Sequence, residues 1–513
     1  MILNRTKQFL SDHRFGFFCG GLVFWLLIMW LLNFEILSAV SGLLLYFALF
    51  FNILKKYILL GSAALGLVSL VCFFVVGLDS VVGNYTLVIT FYLLAISSLV
   101  VMRELLIKKP RWVISFSFRQ ETWLAVLILI FISFFLVQPI LSQPGYSFSG
   151  DFAFPFSLDN YWQDRISTWS VSHGANVFGD LGHLFYLAPS VGLAVASGGG
   201  MPVLLKILVV IPYLAAGLGM FFLARKIFRS IYPNLAIYCV PAAMVAACIY
   251  QFNPWLIDHQ AHYFLQVGYA FLPIIILFTL LAWEQNRFHW VCLAAFFFAT
   301  TTVTPHYMFY TVAVLLIAFL VHIFADLWRH QWIKAAKRLG ITLAIITLAI
   351  IFASFWLWPL ASVQLRSAAP LAPDYVLRMD DIIAANAKLS WPVVFQLSNP
   401  KLQNPDSYWL WQIAGFGLPA LAVAGFVINY RRRWALAILL VLLGAWSIPA
   451  IFIYLPGLYS NMIYRLPFSW VFHDPSRPLG LVCLGYGLLT GLFLLGLIAR
   501  QQTRVNLDKN HAK

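Results

Sequence analysis

A chain of 513 residues that is 62% hydrophobic and only 10% charged, with a mean hydropathy of +0.87, has too little polar surface to cover a water-soluble globule. Its net charge of +15 does not point to nucleic acid, because the cations stand in separate short loops between apolar runs rather than on one face. The solvent these proportions require is a lipid bilayer, and the fold class is an all-α, polytopic transmembrane helical bundle.

A spanning helix takes about 20 apolar residues, since the hydrocarbon core is about 30 Å thick and a helix rises about 1.5 Å per residue. Fourteen such segments follow one another, at 15–34, 37–54, 57–77, 85–102, 122–141, 202–224, 234–252, 264–282, 288–304, 306–325, 339–361, 408–428, 434–455 and 477–499. The first follows Arg5, Lys7, His13 and Arg14 but is too long for a signal-peptide core and ends in Leu32-Asn33-Phe34-Glu35 without a small-residue cleavage site, so it reads as a retained helix. With the N-terminus inside, every second loop is basic: Lys55-Lys56, Arg103 to Arg119, Arg225-Lys226-Arg229, Arg287, Arg329 to Arg338, Arg431-Arg432-Arg433 and the tail from Arg500. That arrangement puts 25 of the 33 Lys and Arg inside and 12 of the 18 Asp and Glu outside, as the positive-inside rule requires. Both termini are therefore expected inside, and the charge is mostly topology.

The organisation expected from this is an N-terminal group of four helices over 1–121, a transmembrane core over 122–361 that contains a first external loop at 142–200, a second external loop at 362–407, and C-terminal helices with a basic tail over 408–513. The six cysteines, Cys19, Cys72, Cys239, Cys248, Cys292 and Cys483, all fall in apolar segments without paired metal-ligand spacing and read as small hydrophobes.

The two long loops are too long for connectors. The first carries Asp151, Asp159, Asp164 and Asp180, and the second Arg366, Asp374, Arg378, Asp380, Asp381 and Lys388. Asp159 and Asp164 are five residues apart, which places them on different faces of a helix. Asp151, between Gly150 and an aromatic-proline run at the membrane boundary, is better placed to meet a membrane-borne substrate; a solvated or capping role is the bland alternative for all these acids. Three short polar points lie on the same side: Asp258 to His262, Thr304-Pro305-His306, and Tyr464-Arg465 with His473 to Arg477. The histidines of the first two have the spacing of interfacial hydrogen bonding and lack a third metal ligand. Arginine binds phosphate bidentately and stays charged, so Arg465, His473 and Arg477 suit a lipid phosphate or, more simply, headgroup anchoring.

From Leu124 to Ile498 the pattern resembles polytopic glycosyltransferases of the GT-C fold, in particular the arabinofuranosyltransferase-like and related membrane proteins of bacteria and archaea. A spanning helix leads into a loop with Gly150-Asp151 near its start and Trp169 and Phe178-Gly179 further on. "NPWLIDHQAHYFLQVGYAFLPIII" from Asn253 is similar to the family's Asn-Pro turn and following helix, and "SWVFHDPSRPLGLVCLGYGLL" from Ser469 to the pattern that opens its last conserved helix. The resemblance implies transfer of a sugar, with inversion, from a polyprenyl-phosphate donor to a cell-envelope glycan, lipid or protein acceptor, on the external face of the cytoplasmic (inner) membrane. It implies Asp151 as general base, with Asp159 or Asp164 as runners-up, phosphate held by Arg465 and Arg477 with help from His473, and sugar stacking on Tyr161, Trp162 and Trp169. The chain departs from the family in its four preceding helices and in having histidines between Asp258 and His262, where the family often carries Arg or Gly. The first loop has no Asp-x-Asp, which favours a metal-free mechanism without cofactor over a divalent metal.

Other classes share this architecture. A lipid-linked oligosaccharide flippase or other transporter predicts charges in mid-helix and short loops. A polysaccharide polymerase or ligase uses a lipid diphosphate oligosaccharide, and a non-catalytic membrane scaffold needs no chemistry at all.

Overall fold

The structure is a computed structural model that describes residues 118–142, 169–170, 175–176, 184–260, 262–302, 304–366, 384, 389–397, 416–459 and 474–511. The four N-terminal segments expected between 15 and 102 lie outside the described residues. What is described is a helical membrane protein. In chain order its helices are α1 (Phe118–Ser142), α2 (Leu184–Ala196), α3 (Gly200–Ile231), α4 (Cys239–Gln251), α5 (Pro254–Asp258), α6 (Tyr263–Gln285), α7 (Phe288–Thr301), α8 (Pro305–Trp328), α9 (Trp332–Arg366), α10 (Trp391–Gln396), α11 (Gly417–Asn429), α12 (Arg433–Tyr454) and α13 (Leu479–His511). Two two-residue strands, β1 (Trp169–Ser170) and β2 (Ala175–Asn176), pair antiparallel before α2.

Among the described residues seven stretches are long and apolar enough to cross a bilayer: Gly200–Ile231, Cys239–Asp258, Tyr263–Gln285, His306–Trp328, Trp332–Trp358, Arg433–Tyr454 and Leu479–Thr503. Within these stretches Pro212, Pro273 and Pro449 sit inside helices, which a bilayer protein tolerates because neighbouring groups satisfy the freed carbonyls. The core is α3, α4, α6 and α13, while α8, α9 and α12 form a periphery: the apolar stretch of α13 is 78% buried and that of α9 only 22%. Small residues let the core backbones approach. A Cβ on Gly425 of α11 would lie 2.0 Å from the Leu489 carbonyl oxygen of α13, and one on Gly487 2.8 Å from that of Ala246 of α4. Phe324, Trp328, Trp332, Ile333 and Trp358 on α8 and α9 stay exposed, the surface that faces lipid, with tryptophans near helix ends.

Element boundaries follow local chemistry. Asn286 ends α6 in the left-handed region (φ 53°), its N–H donating to the Ala282 carbonyl, as an Asn cap permits without glycine. At the start of α5 the Asn253 side chain accepts from the Leu256 N–H at 2.9 Å and Pro254 takes the first helical position, where no donor is needed.

One end of the bundle is basic. Lys226 of α3 pairs with Glu284 of α6, so these two helices run parallel. Arg338 of α9 bonds Asp326 of α8 at 2.5 Å, and Arg433 of α12 reaches the same carboxylate at 3.7 Å. Arg432 lies over the Tyr232 ring, whose hydroxyl donates to Asn429 at 2.6 Å. The opposite end carries the polar turns.

Two departures from the sequence reading follow from length. The apolar run Leu184–Ala196, inside the stretch 142–200 expected as loop, is a helix packed on α3. Thirteen residues span about 20 Å, too short for the 20-residue criterion to detect. Likewise α9 starts at Trp332 rather than 339 and runs to Arg366, because its basic first turns are helical although not apolar.

Candidate functional site

Three turns separated by up to about two hundred residues converge at the polar end of the bundle: the α4–α6 turn from Asn253 to His262, the α7–α8 turn ending at His306, and the Asp474–Pro478 turn that opens α13. Each contains a polar residue followed by proline, namely Asn253-Pro254, Thr304-Pro305 and Asp474-Pro475, the sequence form of a chain restarting a helix. Asn253 is fully buried and donates from Nδ2 to the Tyr250 carbonyl at 2.7 Å and to the Tyr269 hydroxyl at 2.9 Å. Thr304 donates to the Phe264 carbonyl at 2.6 Å, tying the second turn to α6. Trp255 ties the first turn to the third, its Nε1 donating to the Ser476 carbonyl at 3.2 Å.

Beneath these turns lies an aromatic floor. The Trp255 ring stacks on His259 at 4.4 Å and approaches Tyr269 at 5.0 Å and Tyr307 at 6.2 Å, and Tyr310 meets Tyr307 at 5.5 Å. Gly480 is needed where α13 crosses this floor, since a Cβ there would stand 2.1 Å from the Tyr307 hydroxyl and 3.1 Å from the Tyr269 ring.

The charged part of the site is Arg477 with its two neighbours. Asp474 accepts through Oδ1 from the Ser476 N–H at 2.9 Å and hydroxyl at 2.6 Å, while its Oδ2 lies 3.9 Å from Arg477 Nε. Burial pushes the Asp474 carboxyl up, but Arg477 and the two Ser476 hydrogen bonds together outweigh it and hold the group below the usual carboxylate range, so Asp474 is ionised at neutral pH. Arg477 Nη1 contacts the His306 ring nitrogen Nε2. A guanidinium has only donors, so the ring nitrogen can only be the accepting partner in this contact. Among the described residues no acceptor takes the Arg477 Nη2 hydrogens, and the side chain is 19% exposed. His259 is neutral at pH 7: burial is the main cause of its pKa falling from 6.5 to about 4, against the Trp255 carbonyl that accepts its Nδ1–H at 2.7 Å and the Asp474 charge. Tyr459, buried nearby, has its hydroxyl pushed upward by burial and by Asp474.

Of the residues singled out from the sequence, Arg477 stands in this site. Trp169 is in β1, in register with Asn176. Asp151, Asp159, Asp164, Tyr161, Trp162, Arg465 and His473 lie outside the described residues. The sequence reading gave His259, His262 and His306 no catalytic role and did not single out Asp474. The signal that connects them is the shared polar-residue–proline form of the three turns, all on one side by topology. Among the described residues no three His, Cys, Asp or Glu side chains gather around a point that would hold a metal ion. Chemically the arrangement offers one fixed arginine, oriented from two sides at the membrane boundary, with donors left for an anionic oxygen. Comparison of the chain with protein families, with curated proteins and with solved structures finds no match.

Proposed function

We propose that the chain is a fourteen-span, GT-C-type glycosyltransferase with both termini inside, in the cytoplasmic membrane, moving a sugar from a polyprenyl-phosphate donor to an acceptor on the outer face. The observation that carries the reading is Arg477, held between Asp474 and His306 over an aromatic floor at the polar end of the bundle. A lipid phosphate lies at that depth, and its charge develops as the sugar leaves; a cation already fixed there costs no reorganisation. In this topology the two long segments 142–200 and 362–407 both join helices at that same end.

In the reaction, the acceptor hydroxyl gives its proton to the Asp151 carboxylate, its oxygen bonds to the anomeric carbon, and the bond from that carbon to the phosphate oxygen breaks, releasing polyprenyl phosphate. Asp159 and Asp164 are the alternatives for the base. Arg465 and Arg477, with His473, receive the phosphate charge, and Tyr161, Trp162 and Trp169 stack on sugar.

The test is transfer of radiolabelled sugar from polyprenyl-phosphate donors to membrane acceptors by purified protein. Asp151→Asn lowers turnover by about two orders of magnitude or more, in line with the roughly 10²–10⁴ of a general base. Arg477→Gln lowers kcat/KM without changing the pH profile that Asp151 sets. Equal transfer by wild type and Asp151→Asn moves the base to Asp159 or Asp164; no transfer with any donor replaces the reading with a flippase or a scaffold.

A further inference from the structure

An apolar cleft lies between α3, α6, α8, α12 and α13, toward the basic end. Leu223, Ile276, Ala318, Trp434, Ala437 and Leu484 line it, and it is a shallow groove open along one side. Among the described residues its lining contains no charged side chain, so nothing polar would gain by entering it. One end abuts the ionic cluster directly. Ala318 accepts from His322 Nδ1 at 2.8 Å, and His322 meets the Trp434 ring at 4.4 Å. Asp326 is one turn further along α8, and Arg433 immediately precedes Trp434.

That cluster is not electrically balanced. The Asp326 carboxylate, 1% exposed, faces two arginines, Arg338 at 2.5 Å and Arg433 at 3.7 Å; Glu284, the other acid whose charge acts on Arg338, is itself paired with Lys226, so the group keeps one positive charge in excess. The Arg338 Nε is buried and makes no hydrogen bond. Uncompensated charge at a membrane boundary is costly unless an anion, water or a partner meets it. Arg433, with its side chain 30% exposed, is the member of the cluster that an outside anion can reach.

We infer that this cleft and Arg433 together form a binding site for an anionic membrane phospholipid, an acyl chain lying in the cleft and the headgroup phosphate meeting the arginine. Basic pockets between spanning helices recognise lipid headgroups in this manner, and the apolar lining accounts for the chain. The charge excess selects an anionic headgroup over a zwitterionic one, whose own ammonium would face Arg433. The inference stands independently of sugar transfer, since it uses residues at the opposite end of the bundle.

The experiment is native mass spectrometry of the full-length protein in detergent, titrated with dioleoyl phosphatidylglycerol or dioleoyl phosphatidylcholine. Wild type retains phosphatidylglycerol about tenfold more tightly. Arg433→Gln brings the two lipids level, whereas Arg431→Gln, whose guanidinium lies over the Tyr430 ring, keeps most of the preference. Ala437→Trp, which fills the cleft, weakens both lipids and leaves the headgroup preference in what remains. Equal binding of the two lipids to wild type overturns the inference. So does an Arg433→Gln variant that keeps the preference, or an Arg431→Gln variant that loses as much, which would show general attraction to a basic surface. Full binding by Ala437→Trp removes the cleft from the site.

Discussion

His259 and Asp474 titrate in the same sense, and their effects separate by pH. In the unfolded chain the imidazole takes up its proton near pH 6.5, but in the buried stack against Trp255 only near 4. Between those values the unfolded state binds more protons, so stability is fully present above pH 6.5 and declines as pH falls toward 4. The shift corresponds to about 3 kcal/mol at its limit. Asp474, with its pKa below the usual carboxylate range, adds a loss only at lower pH still. The melting temperature of the detergent-solubilised protein should therefore fall between pH 6.5 and 4.5, and in His259→Phe, which keeps a ring against Trp255, the fall should be shallower. Parallel curves for the two proteins would mean that another group governs this range. At this scale the sequence was informative about Arg477, whose charge and place before the last helix are visible in the string. It was silent on the partners, because Asp474, though only three residues from Arg477, is ordinary in type, and His306 is distant in sequence; only packing of α8 against the turn before α13 makes His306 a neighbour of that guanidinium.

Between elements, the two ion pairs at the basic end have different weights. Lys226 and Glu284 join α3 to α6 with side chains 30% and 45% exposed, and a pair so open to solvent contributes about 0–1 kcal/mol. Asp326 joins three helices, α8, α9 and α12, and its carboxylate is buried against two arginines. Removing the shared partner leaves two cations without compensation, a change that costs about 3–5 kcal/mol in buried pairs. Thermal unfolding should accordingly show Asp326→Asn strongly destabilised and Glu284→Gln close to wild type; similar melting of the two variants would mean that solvent reaches Asp326 as freely as Glu284. Apolar run length made these helices legible: from α3 onward each long one coincides with an expected segment. The same criterion hid α2, which is apolar but short, and the basic first turns of α9, which are helical for the sake of contacts to Asp326 rather than lipid.

For the whole molecule, the distribution of charge and the distribution of polar turns make one statement about orientation. Arginines from α9 and α12 and the lysine of α3 collect at one end, while the proline-led turns collect at the other. A helix that begins at a polar turn, such as α8, ends at the basic cluster, so the two ends lie on opposite sides of a bilayer. Basic segments are retained inside during insertion, so the Arg477 site is expected on the outer side, the side on which the proposed transfer would take place. Single cysteines at Gln260 and at Arg431, in a chain whose native cysteines are replaced by serine or alanine, test this directly in intact cells with a membrane-impermeant maleimide. Cysteine 260 should label in intact cells and cysteine 431 only after permeabilisation. The reverse pattern would turn the Arg477 site to the cytoplasm and remove the donor geometry on which the proposed sugar transfer depends, while labelling of both from one side would contradict the membrane-spanning arrangement of α8 and α12 itself.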